Sequence, residues 1–299
     1  MVGMLTVTTW NVNGIRAREP EVLTWIDQHR PDVLALQEVK ASPEQVPAAL
    51  SNLDGYWAYW HGYKGYSGVA LHLSRTTFPV RPVFAHPEFD HETRIVTATV
   101  GDVVFTSVYV PNGGKDFSAK TRFLNALANF TREVHAAGRQ LVLVGDMNVA
   151  REERDVHPTL RRPAQIGQTP NERGQLEHIV GEGLVDLSRQ FHPDDDQLFT
   201  WWAPWRNMRA RNIGWRLDYV LCSASLAARA ASCEAFPEYG TSDHAPVLAA
   251  FDIAPPHAPP EPPEDGAPRD ATGAGAGAQV PEGSATQSPA GKEGQLKLF

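Results

Sequence analysis

Short runs of β-branched and aliphatic residues alternate along the chain with segments whose apolar positions recur every three or four residues. The first kind predicts strands at Leu5–Val12, Asp32–Val39, Ser67–Leu73, Arg94–Val100, Val103–Val110, Leu141–Gly145, Leu217–Leu221 and Pro246–Phe251, each bounded by Gly, Pro or Asn. The second kind predicts helices in three places. The clearest starts at Ser118 and lines up Phe123, Leu127, Phe130 and Val134 until Gly138 stops it. Another opens with Thr169-Pro170-Asn171-Glu172, a capping-box pattern with proline at the first helical position, and turns Leu176, Ile179 and Val180 inward. The third runs from Pro20 to about Arg30 and is closed by Pro31. Strands that follow one another without a helix, as at 94–110, argue against a simple doubly wound parallel sheet. They argue for an α/β fold with two sheets in the core and helices outside.

The pattern stops near residue 253. Residues 254–299 hold nine of the 24 prolines and seven of the 24 glycines, including Pro-Pro-His-Ala-Pro-Pro-Glu-Pro-Pro from 255 and Gly-Ala-Gly-Ala-Gly-Ala from 273. Such sequence buries too little apolar surface to offset the entropy of ordering it. The chain therefore divides into a body at 1–253, a disordered linker at 254–294 and a short apolar peptide at 295–299.

Charge first argues against a polyanionic partner: 27 Lys+Arg against 35 Asp+Glu give a formal net charge of −8 over 299 residues. The tail, with six acids and three bases, accounts for −3 of it, and four acids singled out below account for another −4. The rest of the body is nearly neutral. No stretch approaches the ~20 apolar residues of a membrane helix, and Met1-Val2-Gly3-Met4 leads straight into strand-like sequence, so the expected location is cytoplasmic. Cys222 and Cys233 have no partners at zinc-ligand spacing and read as reduced and inert.

Polar residues gather where the predicted strands end. Leu141-Val142-Leu143-Val144-Gly145 delivers Asp146 and Asn148 two apart, hence on one face. Asn11 and Asn13 share that spacing, Glu38 follows Val33-Leu34-Ala35-Leu36, Tyr109 ends a strand, Asp218 begins one, and Asp243-His244 precedes the last. Singly, each reads as a turn former. Together, on one edge of a sandwich, Glu38, Asp146, Asp218 and Asp243 with Asn11, Asn13 and Asn148 make an oxygen-rich site suited to a hard cation such as Mg²⁺. A cation of that kind beside an Asp and a His suggests phosphodiester hydrolysis by water.

The motifs Trp10-Asn11-Val12-Asn13-Gly14, Leu36-Gln37-Glu38-Val39-Lys40, Tyr109-Val110-Pro111-Asn112-Gly113, Gly145-Asp146-Met147-Asn148, Asn212-Ile213-Gly214-Trp215-Arg216-Leu217-Asp218-Tyr219 and Ser242-Asp243-His244 stand in the order of the exonuclease III family of abasic-site endonucleases, within the endonuclease/exonuclease/phosphatase superfamily, which the body resembles over nearly its whole length. The resemblance implies a four-layered α/β sandwich, two mixed β-sheets packed face to face with flanking helices. It implies Mg²⁺, with Mn²⁺ as a substitute, held by Glu38 with Asn11, Asn13, Asp146, Asn148, Asp243 and His244 around it. Asp146 would activate the attacking water, Asn148 hold the phosphate or that water, and Asp218 and His244 form a carboxylate–imidazole pair. Tyr109 and Asn112 would contact the phosphate. Asn13 stands where other members carry Asp, and Lys115 where some carry Arg, which keeps a charge but loses the bidentate fork. The implied partner is double-stranded DNA with abasic sites or blocked 3′ ends, cut by a monomeric, bacterial, nucleoid-associated enzyme of base excision repair. A phosphatase or phospholipase of the same superfamily and a silent DNA-binding scaffold are the rival readings.

Between Phe199 and Asp218 lie Trp201, Trp202, Trp205 and Trp215 among Arg206, Arg209, Arg211 and Arg216. Two readings fit: an aromatic cluster with a solvated basic face, or a loop that tracks phosphates beside an apolar pocket for an extrahelical sugar. By resemblance Trp201, Trp215 and Leu217 line that pocket and Arg209 contacts substrate. His61–Gly65 reads either as a DNA-backbone loop or as a plain turn. The last five residues, Gln295-Leu296-Lys297-Leu298-Phe299, resemble the peptide by which bacterial repair proteins dock on the β sliding clamp, with Gln295, Leu296, Leu298 and Phe299 as anchors.

Overall fold

In the computed structural model, which describes residues 3–256, twelve strands form two six-stranded sheets. In chain order the strands are β1 (Met4–Asn11), β2 (Val33–Gln37), β3 (Tyr56–Tyr63), β4 (Tyr66–Ser74), β5 (Val83–Ala85), β6 (Ile95–Val100), β7 (Val103–Tyr109), β8 (Gln140–Asp146), β9 (Leu184–Asp186), β10 (Asp218–Ser223), β11 (Ala230–Ala235) and β12 (Val247–Asp252). The helices are α1 (Ile15–His29), α2 (Ala48–Ser51), α3 (Phe117–Ala136), α4 (Pro170–Gly181), α5 (Leu187–Phe191) and α6 (Ala224–Ala227). One sheet runs β11-β12-β1-β2-β4-β3 and the other β5-β6-β7-β8-β10-β9. Each is mixed, with one parallel pair, β1–β2 and β7–β8.

Between the sheets lies an apolar layer that includes Val7, Val33, Ala35, Leu71, Phe105, Val142, Val144 and Val220, all inward-facing by the period-2 rule. Two outer layers complete the expected sandwich. α3 and α4 bury Phe123, Leu127, Leu176 and Ile179 against the second sheet, and α1 buries Val22, Trp25 and Ile26 against the first. Both central helices begin as their sequences require: the Asp116 carboxylate caps α3 at the Ala119 N–H, and Thr169 and Glu172 close a reciprocal capping box on α4.

α1 differs from expectation. It starts at Ile15, with Pro20 inside it and not at its head. Pro20 and Arg16 are both exposed, so the missing hydrogen bond between them lies on the outer side of the helix. Four strands have no counterpart in the reading of the sequence. β3 is rich in aromatic residues and half-exposed throughout, β5 and β9 have three residues each, and β11 is Ala-Ala-Ser-Cys-Glu-Ala. Each is, or pairs at, a sheet edge, where tertiary pairing overrides weak local preference. Residues 257–299, and with them most of the linker and the Gln295–Phe299 peptide, lie outside the described residues.

Candidate active site

Strand register explains why scattered motifs meet. Asn11 ends β1 beside Gln37 of β2, which places Glu38 one residue past the sheet. Tyr109 pairs with Asp146 across the parallel β7–β8 pair, and Asp146 pairs with Asp218 across the antiparallel β8–β10 pair. β12 runs antiparallel to β1, so the segment entering it, Ser242-Asp243-His244, arrives at the same end. The two sheets are tied near that end by Gln37, whose amide donates to Ser107 Oγ at 3.0 Å. A Cβ on Gly145 would fall 1.9 Å from the Val108 carbonyl oxygen, so only glycine lets β8 approach β7 just before Asp146. Glu38, Asn13 and Asn148 all hold left-handed backbone, with φ of 49°, 44° and 51°. Asn tolerates this region, but it is costly for Glu38, and such strain gathers at functional sites.

Glu38, Asp146 and His244 bring ligand atoms within 4.8 Å of one another. Asn11 lies between the carboxylates, its Nδ2 donating to Glu38 Oε1 at 3.0 Å and to Asp146 Oδ2 at 2.9 Å. The Asn148 N–H donates to Asp146 Oδ1 at 2.8 Å. His244 Nδ1 meets Asp218 Oδ2 at 2.8 Å, leaving Nε2 toward Asp146, 3.8 Å away. Thr200 Oγ donates to the same Asp218 oxygen at 2.7 Å, and Ser242 Oγ bridges the Asn11 carbonyl and the His244 N–H.

Electrostatics follow from burial. The Asp146 carboxyl is pushed up to about 7, mainly because it is buried; His244 opposes the shift, while Asp218 and Glu38 add to it. Burial works against protonated His244, but Asp218, Asp146 and Asp243 outweigh it and raise the imidazole to about 10. Glu38 ends below its usual range despite burial, because Asn11 and Lys40 donate to it. The phenol of Tyr109 is raised well above its usual value by burial, with Glu38 and Asp146 adding to the effect. The carboxylate oxygens of Glu38 and Asp146, brought together in the cleft, are the hard donors that a divalent cation takes.

Not every expected ligand joins this cluster. Asn13 and Asp243 stand one step aside: Asn13 Nδ2 donates to Asp243 Oδ1 at 2.7 Å, and the other Asp243 oxygen accepts from Trp201 Nε1 at 2.9 Å. Asn148, Asn112, Trp201, Trp215 and Leu217 do line the same cleft, of about 380 Å³. Trp201 and Trp215 meet edge to face with centroids 5.8 Å apart. Lys115 is exposed, its ammonium over the Tyr66 ring. Arg209 is a correction. Its guanidinium donates to the backbone carbonyls of Pro237, Tyr239, Gly240 and Ser242 and lies over Trp202, so it braces the loop before Asp243 and has no fork left for substrate. His61 likewise belongs to β3 and meets Asp90, while Lys64 at the hairpin turn is exposed.

Sequence reasoning missed several participants. Lys40 pairs with Glu38 Oε2 at 2.7 Å and also reaches Asn13 Oδ1. It lay inside a recognised motif, as did Ser242. Arg94 lies 4.8 Å over the Tyr109 ring, and Gln165 and Ile166 line the cleft from a loop with no signal beyond an apolar residue in polar surroundings.

Residues 8–244 match the Endonuclease/Exonuclease/phosphatase family, and the chain belongs to it. Within that family it is similar to proteins that act on DNA. It is 33% identical over 254 residues to recombination repair protein 1 of Drosophila melanogaster, covering 83% of this chain but only 37% of that protein. To DNA repair nuclease APEX1 of Danio rerio it is 32% identical over 250 residues, 81% of each chain. To the exodeoxyribonuclease of Bacillus subtilis it is 31% identical over 248 residues, 81% of this chain and 98% of that one. Two solved structures are similar in fold: a 3′-5′ exonuclease from Neisseria meningitidis (34% identity, TM-score 0.76, 83% of this chain and all of that one) and an AP endonuclease from Archaeoglobus fulgidus (29%, 0.75, with the same coverage).

Proposed function

We propose that this protein is a divalent-cation-dependent DNA repair nuclease that hydrolyses the phosphodiester 5′ to abasic sites in duplex DNA, leaves a 3′-hydroxyl, and trims or cleans 3′ ends. The observation that carries this reading is the convergence of Glu38, Asp146 and His244 at the floor of a cleft walled by Trp201, Trp215 and Leu217. The names of the relatives, a DNA repair nuclease, an exodeoxyribonuclease and a 3′-5′ exonuclease, support it.

A Mg²⁺ ion, or Mn²⁺ in its place, held by Glu38 with Asn11 and Asp146 beside it, would supply Lewis-acid neutralisation of charge on the phosphoryl oxygens. The rest falls to the protein's own groups. Asp146, held by amide donors from Asn11 and Asn148, orients the attacking water and takes its proton, and as the P–O3′ bond breaks the departing oxygen takes a proton from solvent water to become the 3′-hydroxyl. His244, held through Nδ1 by Asp218, offers Nε2–H to a phosphate oxygen. Tyr109 keeps its proton and donates a hydrogen bond to the same charge. The indoles of Trp201 and Trp215 with Leu217 accept a deoxyribose that lacks a base and fit a full nucleotide poorly.

Duplex DNA carrying a single abasic analogue tests the reading. Incision on its 5′ side with Mg²⁺, abolished by EDTA, is expected; no metal-dependent incision contradicts it. A sliding-clamp contact through Gln295–Phe299 is the further partner this reading carries. Deleting 295–299 is expected to abolish clamp binding while incision of free DNA is unchanged, and undiminished clamp affinity contradicts it.

A further inference from the structure

A second group of metal-ligating side chains lies away from the cleft. His61, His86 and Asp90 place donor atoms within 4.8 Å of one another. They come from three segments: His61 from β3, the outer strand of the first sheet; His86 just after β5, the outer strand of the second; and Asp90 from the turn leading into β6. The three therefore face one another across the gap between the open edges of two sheets.

The carboxylate is fixed before any ligand arrives. Asp90 Oδ1 accepts the N–H groups of Arg94 at 2.8 Å and Ile95 at 3.2 Å, which aims Oδ2 at His61 Nε2. The His61 and Asp90 side chains are only 16% and 8% exposed, so this is a desolvated pair and not a surface ion pair. The ring of His86 stacks on that of His61, centroids 4.5 Å apart and planes within 10°. An ion pair explains His61 and Asp90 but not why a second imidazole is gathered onto the first. A metal ion ligated by both imidazoles and the carboxylate accounts for all three. Two imidazole nitrogens with one carboxylate oxygen are the donor set of a borderline cation and a poor one for Mg²⁺, which wants oxygens. His86 is exposed, so its ring is free to turn edge-on.

We propose that His61, His86 and Asp90 form a second, structural site for a transition-metal cation of the Zn²⁺ class, which pins β3 of one sheet to the β5–β6 connection of the other. The site also steadies one wall of the cleft. Arg94, whose N–H the Asp90 carboxylate holds, lies over the Tyr109 ring and donates to the Tyr66 hydroxyl at 3.0 Å.

The test uses the full chain, stripped with EDTA, loaded with Zn²⁺ and desalted, with bound zinc measured by mass spectrometry and Co²⁺ loading followed by its visible absorption. The parent is expected to retain one more equivalent of Zn²⁺ than His86→Gln or His61→Gln, to show a nitrogen-ligated Co²⁺ spectrum those variants lack, and to gain thermal stability from Zn²⁺ that they do not. The same difference is expected in a Glu38→Gln background, where the catalytic cluster is disabled. His86→Gln should keep its Mg²⁺-dependent incision, which shows that it is folded. Equal zinc in the parent and His86→Gln, or a difference that vanishes in the Glu38→Gln background, overturns the proposal.

Discussion

His244 sits between two carboxylates, 2.8 Å from Asp218 and 3.8 Å from Asp146, and in the proposed mechanism it offers Nε2–H to the phosphate. Replacing it by Asn keeps the approximate shape but removes the imidazole Nε2–H, so His244→Asn is expected to slow incision by ~10²–10⁴-fold with an unchanged melting temperature. A lesser effect in single-turnover assays would show that the imidazole does not act in the chemistry. Elsewhere a buried histidine contributes to acid stability. His72 is buried in β4 beneath Trp60, and burial pushes its pKa down to about 4. Between the free-imidazole value of ~6.5 and about 4 only the unfolded chain takes up the proton. Stability is therefore full above that upper value and falls as pH drops through the window, by up to ~3 kcal/mol. Urea midpoints measured across this range are expected to fall more steeply for the parent than for His72→Leu; parallel slopes would contradict the assignment. At this scale most of the site was legible, because Asn11, Glu38, Asp146, Asp218 and His244 all fall at strand ends within recognisable motifs. Arg209 was misread, since charge and neighbouring tryptophans suggest a phosphate contact but cannot show that four backbone carbonyls already surround it.

Elements hold these residues through buried polar struts. Lys120 of α3 and Glu172 of α4 form a wholly buried ion pair. Lys120 also donates to the Asn148 carbonyl at 2.7 Å, and Glu172 accepts from the Gly167 N–H, so the pair ties both helices to the loop that carries Gln165 and Ile166 into the cleft. Lys120→Met leaves Glu172 buried without its counter-charge and is expected to cost ~3–5 kcal/mol of stability, whereas the double variant Lys120→Met/Glu172→Gln should recover part of that loss. Equilibrium denaturation of both checks it, and a neutral Lys120→Met would contradict it. Gly145→Ala is expected to cost at least ~3 kcal/mol, because its Cβ has nowhere to go between β8 and β7. The central strands and the helices α3 and α4 were legible because hydrophobic period and capping residues agree there. β5, β9 and β11 were not, because three-residue or alanine-rich segments become strands only when a neighbouring strand supplies the hydrogen bonds.

For the molecule as a whole, net acidity and DNA binding are reconciled by position. Glu38, Asp146 and Asp243 line one cleft, and Lys64, Arg206 and Arg211 are exposed. Affinity for duplex DNA should fall with salt, and Lys64→Ala or Arg206→Ala should each lower the log–log slope by about 1 if the residue touches a phosphate. The two-sheet architecture was legible from consecutive strands at 94–110, whereas the order of strands within each sheet was not, since nothing local encodes which edges pair. The most direct test of the whole account is single-turnover cleavage of an end-labelled duplex bearing one abasic analogue, comparing the parent with Asp146→Asn at saturating enzyme and Mg²⁺. The parent should cut only on the 5′ side of the lesion, and Asp146→Asn should bind equally well yet cut at least ~10²-fold more slowly. Equal rates, or parental cleavage on the 3′ side, would contradict it.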